Sequence, residues 1–125
     1  MSQRSCGALH ILQKHSESRR LTSRLDESGE SIKKRSKEEA RKILEGFATQ
    51  LNAKASDPDE LKKLFMEIAR KYSDCTSGEN GGALGRFKRG EMQQPFEDAA
   101  FALQPDEVSK VIDTDSGLHL ILRVN

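Results

Sequence analysis

The strongest constraint on the fold is a capped amphipathic helix in the middle of the chain. Residues 36–39, Ser-Lys-Glu-Glu, form a capping box, in which the serine and the glutamate three positions later each satisfy a free backbone N–H. The apolar residues that follow recur at helical spacing and form one stripe: Ala40, Ile43, Leu44, Phe47, Ala48 and Leu51. The pattern predicts a helix from about Lys37 to Lys54.

Two further helices are predicted by the same kind of signal. Asp57 precedes Pro58 and lies three residues before Glu60, so a helix is expected to start with proline at its first position. Its apolar stripe consists of Leu61, Leu64, Phe65, Ile68, Ala69 and Tyr72. Another helix opens at Pro95 and closes before Pro105, with Phe96, Ala99, Ala100 and Leu103 on one side. Each stripe is one-sided, so each helix needs a second layer to pack against.

Strand patterns appear near both ends of the chain. Residues 8–14 alternate with period two, which puts Leu9 and Ile11 on one face and His10, Leu12 and Lys14 on the other. Runs rich in β-formers occupy 108–112 and 118–124, and a short strand is predicted at 83–87. Strands at both ends with helices between them predict an α+β domain, a small four-stranded antiparallel sheet surrounded by about four helices. His10 and His119 are expected on neighbouring strands.

The chain of 125 residues has the length of one domain. We assign residues 1–7 to a short N-terminal extension and residues 8–125 to the domain itself. Residues 15–35 contain almost no apolar side chains, which predicts a long exposed loop of basic and polar character. Four glycines within residues 73–85 predict a turn-rich connection.

Composition argues against several classes of function. The 21 basic and 20 acidic side chains nearly cancel, so no nucleic-acid partner is expected, and no apolar run is long enough to cross a bilayer. Cys6 and Cys75 are too few for a disulfide framework and are expected to be free thiols. We therefore expect a soluble protein of the cytoplasm and nucleus. A monomer is expected because each helix has only one apolar stripe, which the core of the domain can cover. A cluster of Lys33, Lys34 and Arg35 is either a weak nuclear signal or part of a solvated loop.

Two histidines and one cysteine are the candidates for chemistry. His10 and His119 would lie side by side if their strands pair, although a single strand histidine is more often structural than catalytic. Cys75 follows the second predicted helix, where it is either a nucleophile or a small half-buried side chain. The spacing of the cysteines and histidines lacks the paired clusters that zinc sites use.

A basic segment follows the first predicted strand. Lys14, Arg19 and Arg20 lie within seven residues that contain one acidic side chain, Glu17. Two adjacent guanidinium groups and an ammonium can converge on a phosphate, for which the planar fork of arginine is well shaped. Charge clusters are also often no more than solvated surface. Composition alone leaves both interpretations open.

Four segments together resemble the parvulin family of peptidyl-prolyl cis/trans isomerases, in family order and from Leu9 to the C-terminus. LHILQKHSESRR looks like the first strand and basic loop of the phosphate-directed (Pin-type) members, and SKEEARKILEGF looks like their first helix. ARKYSDCTSGENGGALGRFKRGEMQQPFEDAAFAL and TDSGLHLILRV are the most specific matches. The resemblance implies rotation of X-Pro bonds without a cofactor and a preference for phospho-Ser/Thr-Pro proteins. Phosphate-directed relatives often carry a separate WW module before this domain, and because few residues precede Leu9 we expect this chain to depart from that pattern.

The resemblance also implies a role for each matching residue. The polar catalytic group around the target bond would be His10, Cys75, Ser116 and His119. The proline pocket would be Leu84, Met92 and Phe96, with Phe87 bordering it and Gln93 at its edge. The phosphate would be bound by Lys14, Arg19 and Arg20. The alternatives are a phosphopeptide-binding adaptor that catalyses weakly, a general parvulin without phosphate preference, and a nucleic-acid-associated parvulin.

Overall fold

Strands and helices of the chain were assigned from a computed structural model that describes residues 5–125. The strands are β1 (Ser5–Gln13), β2 (Ala83–Lys88), β3 (Ile112–Thr114) and β4 (Gly117–Arg123). The helices are α1 (Glu30–Lys34), α2 (Lys37–Asn52), α3 (Pro58–Tyr72) and α4 (Gln94–Ala102), and Thr76–Asn80 form a 3₁₀ helix. The predicted α+β class with four antiparallel strands and four helices is confirmed.

The two central helices begin where their caps direct them. At α2 the Ser36 hydroxyl accepts a hydrogen bond from the Glu39 backbone N–H at 3.0 Å, and the Glu39 carboxylate accepts one from the Ser36 N–H at 3.3 Å. At α3 the Asp57 carboxylate accepts from the Glu60 N–H at 3.3 Å. Both predicted starts are confirmed, and α2 ends at Asn52, two residues earlier than predicted.

The sheet has the order β2-β1-β4-β3, so the two central strands come from opposite ends of the described chain. In the β1–β4 register, His10 lies opposite Ile121 and Leu12 lies opposite His119. The predicted neighbouring positions of His10 and His119 are therefore confirmed.

Both faces of the sheet are buried, and the alternation along the strands separates two cores. One face packs under α2 and α3 through five strand residues, Leu9, Ile11, Leu118, Leu120 and Leu122. The other face packs under α4 and contains Cys6, Ala8 and Ile121 with a set of phenylalanines, Phe87, Phe96 and Phe101. The two histidines belong to this second face, beneath α4.

Two of the sequence predictions were partly wrong. The predicted loop 15–35 contains helix α1 in its last part, because Ile32 is fully buried and the Asp26 carboxylate accepts a hydrogen bond from the Ile32 N–H at 3.0 Å. The predicted strand 108–112 is only partly formed, because Val108 makes an isolated bridge with Leu122 and the regular strand β3 starts at Ile112. Between them the Ser109 hydroxyl accepts the Ile121 N–H at 3.0 Å, a bond that a backbone carbonyl would accept in a regular ladder.

The predicted N-terminal boundary was also wrong within the described residues. β1 already begins at Ser5, and Cys6 and Gly7 pair with Phe87 and Arg86 of β2. The Cys6 side chain is fully buried in the second core, so residues 5–7 belong to the domain. Residues 1–4 of the predicted extension lie outside the described residues. No helix within residues 5–125 is long and apolar enough to span a membrane.

Candidate active site

A stacked pair of buried histidines forms the centre of the site. The Nδ1 atoms of His10 and His119 are 3.0 Å apart, and the ring centroids are separated by 5.3 Å at an interplanar angle of 21°. The ring of Phe96 meets both imidazoles edge-on, at centroid distances of 5.6 and 5.2 Å. An Nδ1–Nδ1 hydrogen bond requires one ring to donate and the other to accept, so the pair shares a single proton at this contact.

The outer nitrogen of each ring also has a partner. His10 Nε2 lies 3.0 Å from the Ser77 hydroxyl, and His119 Nε2 lies 2.7 Å from the Thr114 hydroxyl. The result is a continuous hydrogen-bonded chain that runs from Ser77 through both rings to Thr114. Such a chain fixes the tautomers and orientations of both rings together.

Sequence reasoning missed Ser77 and Thr114. Thr114 begins the block TDSG, and Ser77 lies in the glycine-rich segment, so both were within stretches that match the family. Hydroxyl residues are common in turns, and the pattern along the chain does not show which imidazole a loop hydroxyl will reach. Their roles follow from the folded positions of β3 and the 3₁₀ helix.

Burial and neighbouring charge set the protonation of this centre. Burial, together with the charge of His10, lowers the pKa of His119 to about 3, so His119 is neutral at physiological pH. Burial raises the pKa of the half-buried Cys75, but interactions with the His10 ring and with Ser77 outweigh it and lower that pKa to about 6. At neutral pH Cys75 is therefore largely a thiolate, which is both a local negative charge and a competent nucleophile.

Cys75 is held against the end of β1 by its two preceding residues. The buried Ser73 hydroxyl accepts hydrogen bonds from the Leu12 N–H at 3.0 Å and the Cys75 N–H at 3.4 Å. The Asp74 N–H donates to the Leu12 carbonyl at 2.8 Å. The thiol thus follows a segment that the central strand of the sheet positions. Cys6 and Cys75 are both free thiols, as predicted.

Ser116 is connected to the start of α4. The Gln93 side chain donates to the Ser116 hydroxyl at 2.9 Å and accepts from the Asp115 N–H at 3.2 Å. Gln93 therefore joins the β3–β4 turn to α4. Gly117 allows this turn to approach β1, because its φ is 146° and an added Cβ would lie 2.7 Å from the Gln13 carbonyl oxygen.

The residues predicted for a proline pocket lie in the second core and at its margin. Phe96 is buried against the histidines, and Leu84 and Met92 are half-buried and pack on the same cluster. Phe87 is only 2% exposed, and its ring contacts those of Phe96 and Phe101 at 6.0 and 5.9 Å. Phe87 thus supports Phe96 from within the core.

The three predicted phosphate ligands border one open cavity. Lys14, Arg19 and Arg20 line a cavity of about 470 Å³ together with Cys75 and Ser116. The remaining lining residues are Leu12, Thr22, Ser23, Arg24, Glu27, Asp74 and Thr76. Its basic side therefore faces the same space as the candidate catalytic thiol.

Backbone contacts hold the basic loop, and its arginine side chains are left to solvent. Arg19 and Arg20 are exposed, and neither forms an ion pair with a described carboxylate. The Arg19 N–H donates to the Asp115 carbonyl at 2.8 Å, which ties the loop to the β3–β4 turn. Lys14 Nζ donates to the Thr22 carbonyl at 2.6 Å. The Asp74 carboxylate is already paired with Arg35 at 3.1 Å.

The site shows no arrangement for a metal. Within residues 5–125, no three histidine, cysteine, aspartate or glutamate side chains are grouped so that they could hold an ion. The polar side chains that line the cavity are the Cys75 thiol, hydroxyl groups, cations and the carboxylates of Glu27 and Asp74.

Comparison with known proteins gives one consistent result. The rotamase model described as the PPIC-type PPIase domain matches residues 10–125. The chain is 48% identical over 116 residues to the peptidyl-prolyl cis-trans isomerase pin1 of Schizosaccharomyces pombe, covering 93% of this chain and 60% of that protein. It is 42% identical over 123 residues to Pin1 of Digitalis lanata, covering 98% of each.

A solved structure agrees with these matches. Peptidyl-prolyl isomerase ESS1 from Candida albicans superposes with a TM-score of 0.85 and 35% identity, over 97% of this chain and 63% of that one. The family model covers the site residues from His10 to His119, and the fold matches over nearly the whole chain. The chain therefore belongs to the PPIC-type, or parvulin, family of peptidyl-prolyl cis/trans isomerases.

Proposed function

We propose that this isomerase prefers X-Pro bonds in which X is phosphoserine or phosphothreonine, with proteins carrying such motifs as its partners. The observation that carries the proposal is the shared cavity of Lys14, Arg19 and Arg20 with Cys75 and Ser116. A phosphate carries about two negative charges at neutral pH, and three cations on one cavity wall would attract it strongly. The catalytic group then lies next to the bond that follows the phosphorylated residue.

The reaction needs positioning and electrostatics more than bond making. Resonance gives the X-Pro amide partial double-bond character, and rotation must cross a barrier of about 20 kcal/mol. Each ~1.4 kcal/mol by which the twisted form is favoured speeds rotation about tenfold. A site that holds both ends of the bond and acts on the carbonyl between them is therefore sufficient.

The two ends of the bond are held by different parts of the site. Leu84, Met92 and Phe96 would contain the proline ring, since the half-buried Leu84 and Met92 pack on the same cluster as Phe96, whose ring contacts the histidine pair. The basic residues would hold the phosphate. With the proline ring and the phosphate both held, the carbonyl between them is the group that rotates. Binding of the two ends therefore orients this carbonyl in the site.

The polar centre acts on the rotating carbonyl. Amide resonance places negative charge on the carbonyl oxygen, so a nearby Cys75 thiolate disfavours the planar form and lowers the barrier to the twisted one. Ser116 can donate a hydrogen bond as the amide geometry changes. The histidine chain positions His10 beside Cys75 and keeps the thiol pKa low. We assign Cys75 this non-covalent role and not that of a nucleophile.

The test compares three peptides that differ only before proline, namely Ser-Pro, phospho-Ser-Pro and Glu-Pro. We expect the phosphorylated peptide to have the highest kcat/KM, Glu-Pro an intermediate value and Ser-Pro the lowest, because the negative charge decreases in that order. Equal turnover of all three would instead indicate a general parvulin. Tight binding of the phosphopeptide without turnover would indicate an adaptor. The monomeric state, the cytoplasmic and nuclear location and the absence of nucleic-acid binding stay predictions.

A further inference from the structure

Arg24, which sequence reasoning did not single out, joins the basic loop to the peptide of Cys75. Its Nε donates to the carbonyl oxygens of Ser73 and Cys75, each at 3.1 Å. Its Nη2 donates to the carbonyl oxygens of Ala69 and Arg70 at 2.9 and 2.7 Å. One side chain therefore binds four backbone carbonyls, two in the last turn of α3 and two in the segment that carries Cys75.

The fold leaves space for this guanidinium at one glycine. A Cβ added at Gly78 would lie 2.8 Å from Arg24 Nε and 2.8 Å from the Ala69 carbonyl oxygen, and it would also overlap Arg24 Nη2. Distances below 3.0 Å are not tolerated by real side chains, so any larger residue at position 78 must displace the arginine. Gly78 has no positive φ, which means that its backbone conformation alone would accept alanine.

The guanidinium groups of Arg24 and Arg35 have different kinds of partner. Arg35 pairs with the Asp74 carboxylate at 3.1 Å, so its charge is largely neutralised. Arg24 binds only neutral carbonyl oxygens, which are the partners that the C-terminal end of a helix offers to a cation. Because Arg24 also lines the cavity with Lys14, Arg19 and Arg20, its positive charge remains part of the field there.

We propose that Arg24 is a positioning residue of the active site, which holds the Cys75 peptide and the basic loop in one fixed arrangement beside the cavity. Its fork geometry sets the position of the thiol relative to His10 and Ser77. Its charge adds to the attraction for a phosphate, and this second part rests on the proposed function. The two parts predict different results for variants that keep or remove the charge.

The test uses Arg24→Gln, which removes charge and fork, and Arg24→Lys, which keeps the charge but cannot bind several carbonyls in one plane. Arg70→Gln is the matched control, because it removes an exposed guanidinium from the end of the same helix. The first readout is the pH dependence of Cys75 alkylation by iodoacetamide, followed by mass spectrometry of the two cysteine peptides. Fully buried Cys6 is the internal reference.

Wild-type alkylation should show an inflection near pH 6, the pKa of Cys75. In both Arg24 variants we expect this inflection to rise by about one pH unit, because the thiolate loses its fixed position beside His10 and Ser77. Turnover of the unphosphorylated peptide at pH 7 should fall about twofold in both variants, because a rise of about one pH unit in this inflection lowers the thiolate fraction of Cys75 from about nine-tenths to about one-half. Only Arg24→Gln should also reduce the ratio of phosphorylated to unphosphorylated turnover.

A double-mutant cycle with Gly78→Ala keeps the proposal testable if an Arg24 variant folds poorly. Gly78→Ala should displace the guanidinium and raise the Cys75 inflection with no change of charge. Combined with Arg24→Gln, it should raise the Cys75 inflection much less than it does alone, since the arginine that it displaces is gone. The close contact with the Ala69 carbonyl does not involve Arg24, so its cost should appear in both backgrounds as a loss of stability in urea unfolding.

An unchanged Cys75 inflection in Arg24→Gln, or full additivity in the cycle, would overturn the positioning role. The same shift in Arg70→Gln would overturn it as well. The thiol titration and the turnover of unphosphorylated peptide do not depend on phosphate preference. If wild type lacks that preference, the proposed function fails while the test of Arg24 remains valid.

Discussion

The interior of the active site and its basic margin are built in opposite ways. In the interior, both nitrogens of His10 and of His119 have partners within the protein, and both rings are about 95% buried. At the margin, Arg19 and Arg20 are exposed and have no ion-pair partner among the described carboxylates. The imidazoles of the interior thus have their hydrogen-bond partners before a substrate arrives, whereas the guanidinium groups at the margin are available to bind a ligand.

This difference separates the effects that mutations should have. Changing the interior removes hydrogen bonds on which the fold also depends, so stability and the turnover of every substrate should change together. Changing Arg19 or Arg20 removes no ion pair with a described carboxylate. Its effects should be confined to phosphorylated substrates and should depend on salt.

The largest effect is expected at the margin. Arg19→Ala combined with Arg20→Ala should lower kcat/KM for phospho-Ser-Pro peptides about 100-fold, or ~3 kcal/mol, if each charge-assisted bond contributes at the low end of its usual range. Turnover of Ser-Pro peptide and the midpoint of urea unfolding should stay almost unchanged. Steady-state kinetics with both peptides and a denaturation curve measure these quantities.

The control for this variant is Lys62→Ala combined with Lys63→Ala, which removes two exposed cations on α3. It should leave the phosphate preference intact. Added salt should weaken the preference of wild type and have little effect on the double arginine variant. A parallel loss of both peptide activities in the arginine variant would mean that the margin also supports the interior.

The second effect concerns the stability of the interior in acid. The unfolded chain protonates His119 near its ordinary pKa of 6.5, but the folded protein does so only near 3. As pH falls from 6.5 the unfolded state therefore binds more protons, and folding should lose about 2 kcal/mol from this residue by pH 5. Urea unfolding at a series of pH values measures the loss.

His119→Gln is the comparison for the acid effect. The variant should be less stable at neutral pH, but its free energy of unfolding should fall less steeply between pH 6.5 and pH 5. The difference in slope should correspond to nearly one proton bound on unfolding. An identical slope in the variant and wild type would show that His119 is not the buried group responsible.

The third effect lies between interior and margin, in the proline pocket. Met92→Ala should lower kcat/KM about tenfold for phosphorylated and unphosphorylated peptides alike. The reason is that it removes an apolar contact with the proline ring, which both peptides contain. Met66→Ala is the matched control, since Met66 packs against the core on the opposite sheet face and should lower stability only. If Met92→Ala affected phosphorylated substrates alone, the pocket assignment would be wrong.

The smallest effect is expected at Cys75. Cys75→Ser keeps a polar group but not the low pKa, so it should retain measurable turnover, reduced several-fold at neutral pH. Wild-type kcat should rise as pH increases through about 6, where the thiolate forms, and the serine variant should lack this inflection. Complete loss of activity, or a substrate adduct trapped on wild-type Cys75 and detected by mass spectrometry, would favour a covalent mechanism.

Periodicity and helix caps were sufficient to predict most of the fold. Most members of the stripes of α2 and α3 are buried or half-buried on one side of each helix, although Ile43 and Tyr72 are exposed. The alternation of β1 correctly separated Leu9 from His10. The failures lie where individual contacts decide the structure. Burial of Ile32 and a hydrogen bond to the Asp26 carboxylate hold α1, and the Ser109 hydroxyl takes the place of a backbone acceptor before β3. Neither contact produces a periodic pattern.

For the site, the family resemblance supplied the residues and the structure supplied their connections. His10 and His119 were predicted as neighbours, but the chain from Ser77 to Thr114 was not. Arg24 was missed because its partners are backbone carbonyls 45 to 51 residues away, which carry no side-chain signal. Contacts of this kind depend on how loops are folded against helix ends.

The pairing of β1 with β4 has a consequence for how the domain folds. The contact that completes the site, between His10 and His119, joins residues 109 positions apart. Closing so large a loop costs chain entropy before the contact is gained, which slows folding relative to helical proteins of the same size. During synthesis, β1 must therefore wait for its central partner until residues 117–123 have left the ribosome. Until then one edge of β1 lacks its partner strand, and unpaired edges of this kind are prone to aggregation.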